Sequence, residues 1–319
     1  MPSLTKALIL SAALLALADA RAATDESAPK HDSSSASETL QEVTVTAEQA
    51  KLVSRVRAFV GQIAAPDETS GDGLPLWHVP VCPSVTGLTR QQGEYLLWRI
   101  SEIARGAGVP LAGEKCRPNL FIFVTARPKQ LLEAMDKRRF AVTFRDSSPL
   151  TVDQFIATAE PVRIWYLSHE LTAEYAEPNY NLSAKFPCPS ASIDFQGGAH
   201  LPGRVICDSE RSSHVTNGSA LVPVFSDVYV IVDATRLQGV AWPQLADYLG
   251  MVGLAKINPT ARLGDAPTIL RLFDGSREAA PSGVTDWDRA FLKSLYATEQ
   301  RLKTQREQVA NAMVRELVH

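Results

Sequence analysis

The chain has 319 residues, 45% of them hydrophobic and 21% charged, and a formal net charge of −3 at pH 7. A chain of that length and apolar content can bury a sizeable core. Its slightly acidic balance gives no electrostatic footprint for nucleic acid or anionic lipid, so neither is expected as a partner.

Residues 1–22 read as a secretory signal. Lys6 supplies the positive start and Ala7 to Leu17 form an apolar run. Ala18-Asp19-Ala20 and Ala20-Arg21-Ala22 each fit the small-x-small cleavage rule. The run is shorter than the ~20 residues of a transmembrane helix. Cleavage would remove two basic residues and one acidic one and leave a charge near −4. The expected location is periplasmic or secreted, with no transmembrane span after cleavage.

Residues 23–45 read as a disordered tether, because ATDESAPKHDSSSASET is rich in Ser, Ala and charge and lacks aromatic residues. At its end Glu42-Val43-Thr44-Val45-Thr46-Ala47 resembles the TonB box of outer-membrane receptors. That resemblance implies a short strand that could add to the sheet edge of an envelope protein. The plainer reading is the lead-in to the next helix.

From residue 46 a single globular domain is expected to run to 319. Thr46 with Gln49 forms a capping box, Leu52, Val53, Val56, Phe59, Val60 and Ile63 share one face, and Pro66 stops the helix. Thr89 with Gln92 starts a second helix, which buries Leu96, Ile100, Ile103 and Ala107 and ends at Gly106 to Gly108. Asn119 to Thr125, Phe140 to Phe144 and Val162 to Leu167 read as strands, with short helices at Lys129 to Asp136 and Thr151 to Thr158. Lys137, Arg138, Arg139 and Arg145 make a basic cluster, either a solvated strand end or an anion site. The alternation predicts an α/β (α+β) fold, with a mixed β-sheet flanked by helices and a helical C-terminal lobe.

Residues 176–223 lose periodicity and read as an excursion, with a hairpin pairing Ser192 to Phe195 with Arg204 to Cys207 around Gly197-Gly198. The chain is organised around residues 226–255. Val228 to Val232 is apolar without alternation, so it reads as a strand buried on both faces. The helix after it carries Leu245, Tyr248, Leu249, Val252 and Leu254 and is apolar on nearly every side. Pro267 to Leu270 reads as a tight turn or short strand. Thr285-Asp286-Trp287-Asp288 caps a helix, and a last helix runs from about Thr298 to Val318 with Leu302, Val309, Met313 and Leu317 on one stripe.

Cys82, Cys116, Cys188 and Cys207 allow three pairings, and neighbours in sequence are favoured, Cys82–Cys116 and Cys188–Cys207. The alternative, a metal site, lacks CxxC spacing and a nearby His. Gly108-x4-Gly113-Glu114-Lys115 precedes a strand, the reverse of a phosphate cradle. His169-Glu170-Leu171-Thr172-Ala173 begins like HExxH but has Ala173 in place of the second His. His78, His200 and His214 are expected in loops, without ligand spacing.

The order of elements resembles zincin metallopeptidases, with a long helix, a mixed sheet, a buried helix and a small helical lobe. On that resemblance Pro243, Gln244, Asp247, Gly250 and Gly253 occupy the HExxHxxGxxH positions, and only Gly250 matches. The three His ligands and the catalytic Glu are replaced, so no metal and no cofactor are expected. In overall layout the chain also resembles exported Gram-negative proteins of no assigned function. The expected function is a non-catalytic binding or envelope-associated module on a zincin-like frame without its zinc. The rival is a periplasmic hydrolase assembled from loops, for which Asp247, Gln244, His169 and Glu170 are the candidate residues. Because Asp247 stands alone, Asp247→Asn is expected to alter stability only modestly.

Overall fold

The computed structural model describes residues 47–66, 73–137, 152–172, 190–194, 200–204, 221–274, 280–300 and 304–318. The first helix, α1 (Ala47–Ile63), ends before Pro66, and Val56, Phe59, Val60 and Ile63 are buried as their spacing predicts. The strand β1 (Pro83–Thr86) follows, then α2 (Arg90–Ala107). α2 opens on the expected capping box, with the Thr89 hydroxyl accepting from the Gln92 N–H and the Gln92 side chain accepting from the Thr89 N–H. It closes on Gly108 at φ 76°, the left-handed C-cap that glycine adopts without steric cost.

Next come β2 (Leu120–Thr125), α3 (Pro128–Lys137), α4 (Val152–Ala157) and β3 (Val162–Thr172). β4 (Ser190–Asp194) and β5 (His200–Arg204) pair as an antiparallel hairpin, and β6 (Leu221–Asp233) is the longest strand described. A 3₁₀ turn at Ala234–Arg236 leads to α5 (Trp242–Leu254). A second one at Ile269–Phe273 precedes α6 (Asp286–Ala297) and α7 (Gln305–Val318).

The main sheet has the order β1-β2-β6-β3, in which β1, β2 and β6 are parallel and β3 runs antiparallel to β6. This is a mixed sheet flanked by helices, as the alternation of elements implies. Val228 to Val232 is buried at every position, because successive side chains of β6 point into two different cores. On one face Val228, Val230 and Val232 join α1, α2, α5, α6 and α7 in the large core. On the other Tyr229 and Ile231 join Phe121, Phe123, Trp165 and Leu167, covered by Leu132 and Met135 of α3 and Phe155 of α4. A fully buried aliphatic or aromatic side chain contributes about 1.5–3 kcal/mol, so this one strand feeds both layers.

The Cys82–Cys116 disulfide joins the chain just before β1 to the loop leading into β2. Cys188 and Cys207 lie outside the described residues, as do the strand expected at 140–144, the basic residues Arg138, Arg139 and Arg145, His214, and residues 42–46 of the TonB-like segment.

Several boundaries differ from the sequence reading. The hairpin pairs Asp194 with His200, so five residues close it where the expected register would need eight; a shorter loop loses less entropy. His200 accordingly opens β5 and does not sit in a loop. β3 continues to Thr172 through Ser168, His169 and Glu170, past a register shift at Leu167/Ser168. Of the two readings for Pro267 to Leu270 the turn is the one found, as Thr268 caps a 3₁₀ turn at Ile269–Phe273. Thr298 to Gln300 is not helical, because the Gln300 side chain donates to the carbonyls of Leu74 and Pro223. The C-terminal helices pack onto the body of the domain: Val309 and Met313 of α7 are fully buried in the large core.

Candidate functional site

The central helix α5 begins with Pro243 in its first turn, where no intrahelical N–H is required, and the Gln244 side chain accepts from the Ala241 N–H. Leu245, Ala246, Leu249, Met251, Val252 and Leu254 are fully or almost fully buried, so the helix is a core element on nearly all sides. Two glycines let it sit close to its neighbours. A Cβ on Gly250 would lie 2.6 Å from Ile103 Cδ1 of α2, and one on Gly253 would lie 3.0 Å from Leu120 Cδ2 of β2. Gly250, which occupies the one matching position of the zincin comparison, therefore has a packing reason to be glycine.

Asp247 is the single acidic residue of α5 and is 1% exposed. A buried carboxylate must be paired or hydrogen-bonded. Arg99 of α2 supplies the pair in a two-pronged arrangement: its Nε donates to Asp247 Oδ1, and its Nη2 donates to Oδ2 at 2.8 Å. The Val284 N–H donates to the same Oδ2 at 2.6 Å. The hydrogen bond to Asp247 moves the Arg99 pKa further up, and burial opposes it. The guanidinium is therefore a fixed cation.

Gln244 stands one turn before Asp247 and acts on the same loop, donating from Nε2 to the Pro281 carbonyl at 2.7 Å. A Cβ on Gly283 would fall 2.5 Å from Asp247 Oδ2, so only glycine allows the loop to close over the carboxylate. Gln244 and Asp247 of α5 thus hold residues 281–284 against the helix. Beyond this loop the α6 cap is equally tied down. Asp288 is fully buried and accepts from Thr268 Oγ1 at 2.5 Å, from the Ile269 and Thr285 N–H groups at 2.9 Å each, and from Thr285 Oγ1 at 2.9 Å. Burial raises its pKa above the ordinary carboxylate value, and these hydrogen bonds pull against that rise.

A cleft of about 550 Å³ opens between this loop and the outer face of α2. Buried Asp247 and Val284 with half-buried Arg99 form its floor, and Tyr95, Trp98, Pro243, Pro281, Ser282, Asp286 and Arg289 are among the residues that line the rest. Trp98 is 53% exposed, and Tyr95 leans on it with ring centroids 5.8 Å apart at 47°.

The structure brings Asp247 and Gln244 together on one loop, and it sets His169 and Glu170 elsewhere. These two lie on β3, in register with Val224 and Pro223 of β6, and neither is a partner of the Asp247 carboxylate. His78 Nε2 is 2.7 Å from Gln300 Oε1, which links it to the loop before α7. Among the described residues no group of three His, Cys, Asp or Glu side chains could hold a metal ion, and no helix is long and apolar enough to cross a membrane. Arg99, Trp98 and the loop at 281–284 are the site residues that sequence reasoning missed. Trp98 did carry a signal, as an indole two positions from the buried Leu96 and Ile100 on an amphipathic helix.

In class, the protein is an α/β domain with a four-stranded mixed sheet between helical layers and an aromatic-walled cleft over a buried ion pair. No family model matches the chain, and neither a curated protein nor a solved structure does.

Proposed function

We propose that the protein is an exported, non-catalytic binding module of the cell envelope, and that it takes its ligand in the cleft beside Trp98. The observation that carries this reading is the commitment of Asp247. An acid–base residue must reach the proton it transfers, and both oxygens of this carboxylate are already held by Arg99 and Val284. What faces outward is an exposed indole beside a concave, partly polar surface, the usual make-up of a small-ligand site. The order of long helix, mixed sheet, buried helix and C-terminal helices supports reading the frame as zincin-like, with the metal-ligand positions given over to packing and to holding a loop.

Two measurements test the reading. After fractionation of expressing cells the protein should be found in the periplasmic extract with its start at Arg21 or Ala23, the residues after the two cleavage motifs; a chain confined to the cytoplasmic fraction with Met1 retained would refute export. A ligand-observed NMR screen of small polar and aromatic fragments should give hits that Trp98→Ala removes. Hits that persist in Trp98→Ala, or turnover of a hydrolase substrate panel that Asp247→Asn abolishes, would refute non-catalytic binding at this cleft.

A further inference from the structure

The groups around the cleft narrow the class of ligand. Among the described residues that line it, two cations are matched by two anions: Arg99 pairs with Asp247, and Arg289 donates to Asp286 Oδ1 at 2.9 Å. That lining carries no net charge, so it gives a charged ligand no electrostatic advantage and favours a neutral one. A purely apolar ligand fits no better, because the floor consists of an ion pair and loop backbone. The outer rim supplies donors and acceptors in reach of water, since the Arg289 and Asp286 side chains are 59% and 85% exposed. Trp98 supplies an exposed aromatic side chain.

An indole face beside a rim of guanidinium and carboxylate matches a molecule with an apolar C–H face and a hydroxyl edge. We infer that the ligand is a neutral saccharide, one ring of which stacks on Trp98 while its hydroxyls bond to Arg289 and Asp286. The ring's C–H groups meet the negative face of the indole, and its hydroxyls make charge-assisted hydrogen bonds at the rim. The inference rests on the binding reading above. The floor needs no rearrangement to receive such a ring, because Gln244 and Asp247 already fix the loop.

The test is isothermal titration of the full chain with chitotetraose, cellotetraose and maltotetraose, with decaproline as a peptide that also favours aromatic walls. At least one of the three saccharides should bind with a Kd of roughly millimolar or tighter. Trp98→Ala should weaken it at least about tenfold, and Trp98→Phe by less, because a ring face remains. Val318→Ala, which alters the other large exposed hydrophobic among the described residues, should leave binding unchanged. Trp98 is exposed, so an unchanged melting temperature is the expected control on folding. Saccharide binding that survives Trp98→Ala overturns the inference. Decaproline binding that depends on Trp98, without saccharide binding, overturns the saccharide and leaves the cleft as a peptide site. Silence from all four probes also overturns the saccharide; if the fragment screen is silent at Trp98 as well, the binding reading falls with it.

Discussion

Replacing Asp247 by Asn tests whether the carboxylate is a structural clamp. Asp247 accepts three hydrogen bonds, two of them from a cation. An Asn offers one carbonyl oxygen. Turned toward Arg99 Nη2 and the Val284 N–H it keeps two bonds, and its NH₂ then meets Arg99 Nε, donor against donor. Opening a fully buried ion pair costs about 3–5 kcal/mol, and a hydrogen bond to a charged group contributes about 1.5–3 kcal/mol. The Arg99 side chain is 29% exposed and can regain some hydration, which brings the expected loss down to about 2–3 kcal/mol. That exceeds the modest effect the isolated Asp suggests in the sequence, where Arg99 is not visible as its partner. For a domain of this size the loss corresponds to roughly 5–10 °C in Tm. Urea titration followed by near-ultraviolet circular dichroism reads it directly. The double variant Arg99→Met/Asp247→Leu, which fills the space without charges but leaves the Val284 N–H without its acceptor, should stay about 1–3 kcal/mol below the native chain. A single Asp247→Asn variant within about 0.5 kcal/mol of native would refute the clamp, because that is the range of a neutral surface substitution.

Gly283→Ala should push residues 281–284 away from α5 and destabilise by about 1–3 kcal/mol, seen as a lower urea midpoint; a native midpoint would show that the loop is not seated on Asp247. Reducing Cys82–Cys116 should cost about 3–4 kcal/mol in the chain-entropy model for a separation of 34 residues, and non-reducing peptide maps should join these two cysteines and no other pair involving them. Burial raises the folded-state pKa of Asp288 above its unfolded value, so its folded form binds the proton more tightly. Its contribution is then present below the ordinary value of 3.8 and is lost as pH rises through the higher folded value. Across that window native stability should fall relative to Asp288→Asn, although Asn at this site is less stable throughout because it loses acceptors; parallel curves would show that Asp288 titrates normally.

The parts of the fold that were legible in the sequence are those with local causes. The capping box at Thr89 and Gln92 and the αL glycine at 108 act within one turn, and the buried run Val228 to Val232 announces itself by lacking alternation. β1 was not recognised, because Pro83-Ser84-Val85-Thr86 is four residues long and half-buried at every position. The second half of β3 was missed because Ser168, His169 and Glu170 are polar, which the strand tolerates at the edge of the sheet. The Arg99–Asp247 pair joins residues 148 apart in the chain, and no period or spacing encodes such a contact. Gln244 and Asp247 were noted as candidate chemistry because they are the polar residues of an apolar helix. In the structure both side chains bond to residues 281–284.

A polar residue on a core helix has to be satisfied from somewhere. On α5 the two that matter lie three positions apart and so face the same way. Gln244 reaches the Pro281 carbonyl and Asp247 reaches the Val284 N–H, so one loop satisfies both, with Arg99 closing the remaining valence from α2. The consequence for function follows from which parts are fixed and which are not. The floor of the cleft is held by buried, charge-assisted bonds, whereas Trp98, Asp286 and Arg289 stand on its exposed rim. Substitutions at the rim should then leave the frame intact, while those at Asp247, Gln244 or Gly283 act first on stability.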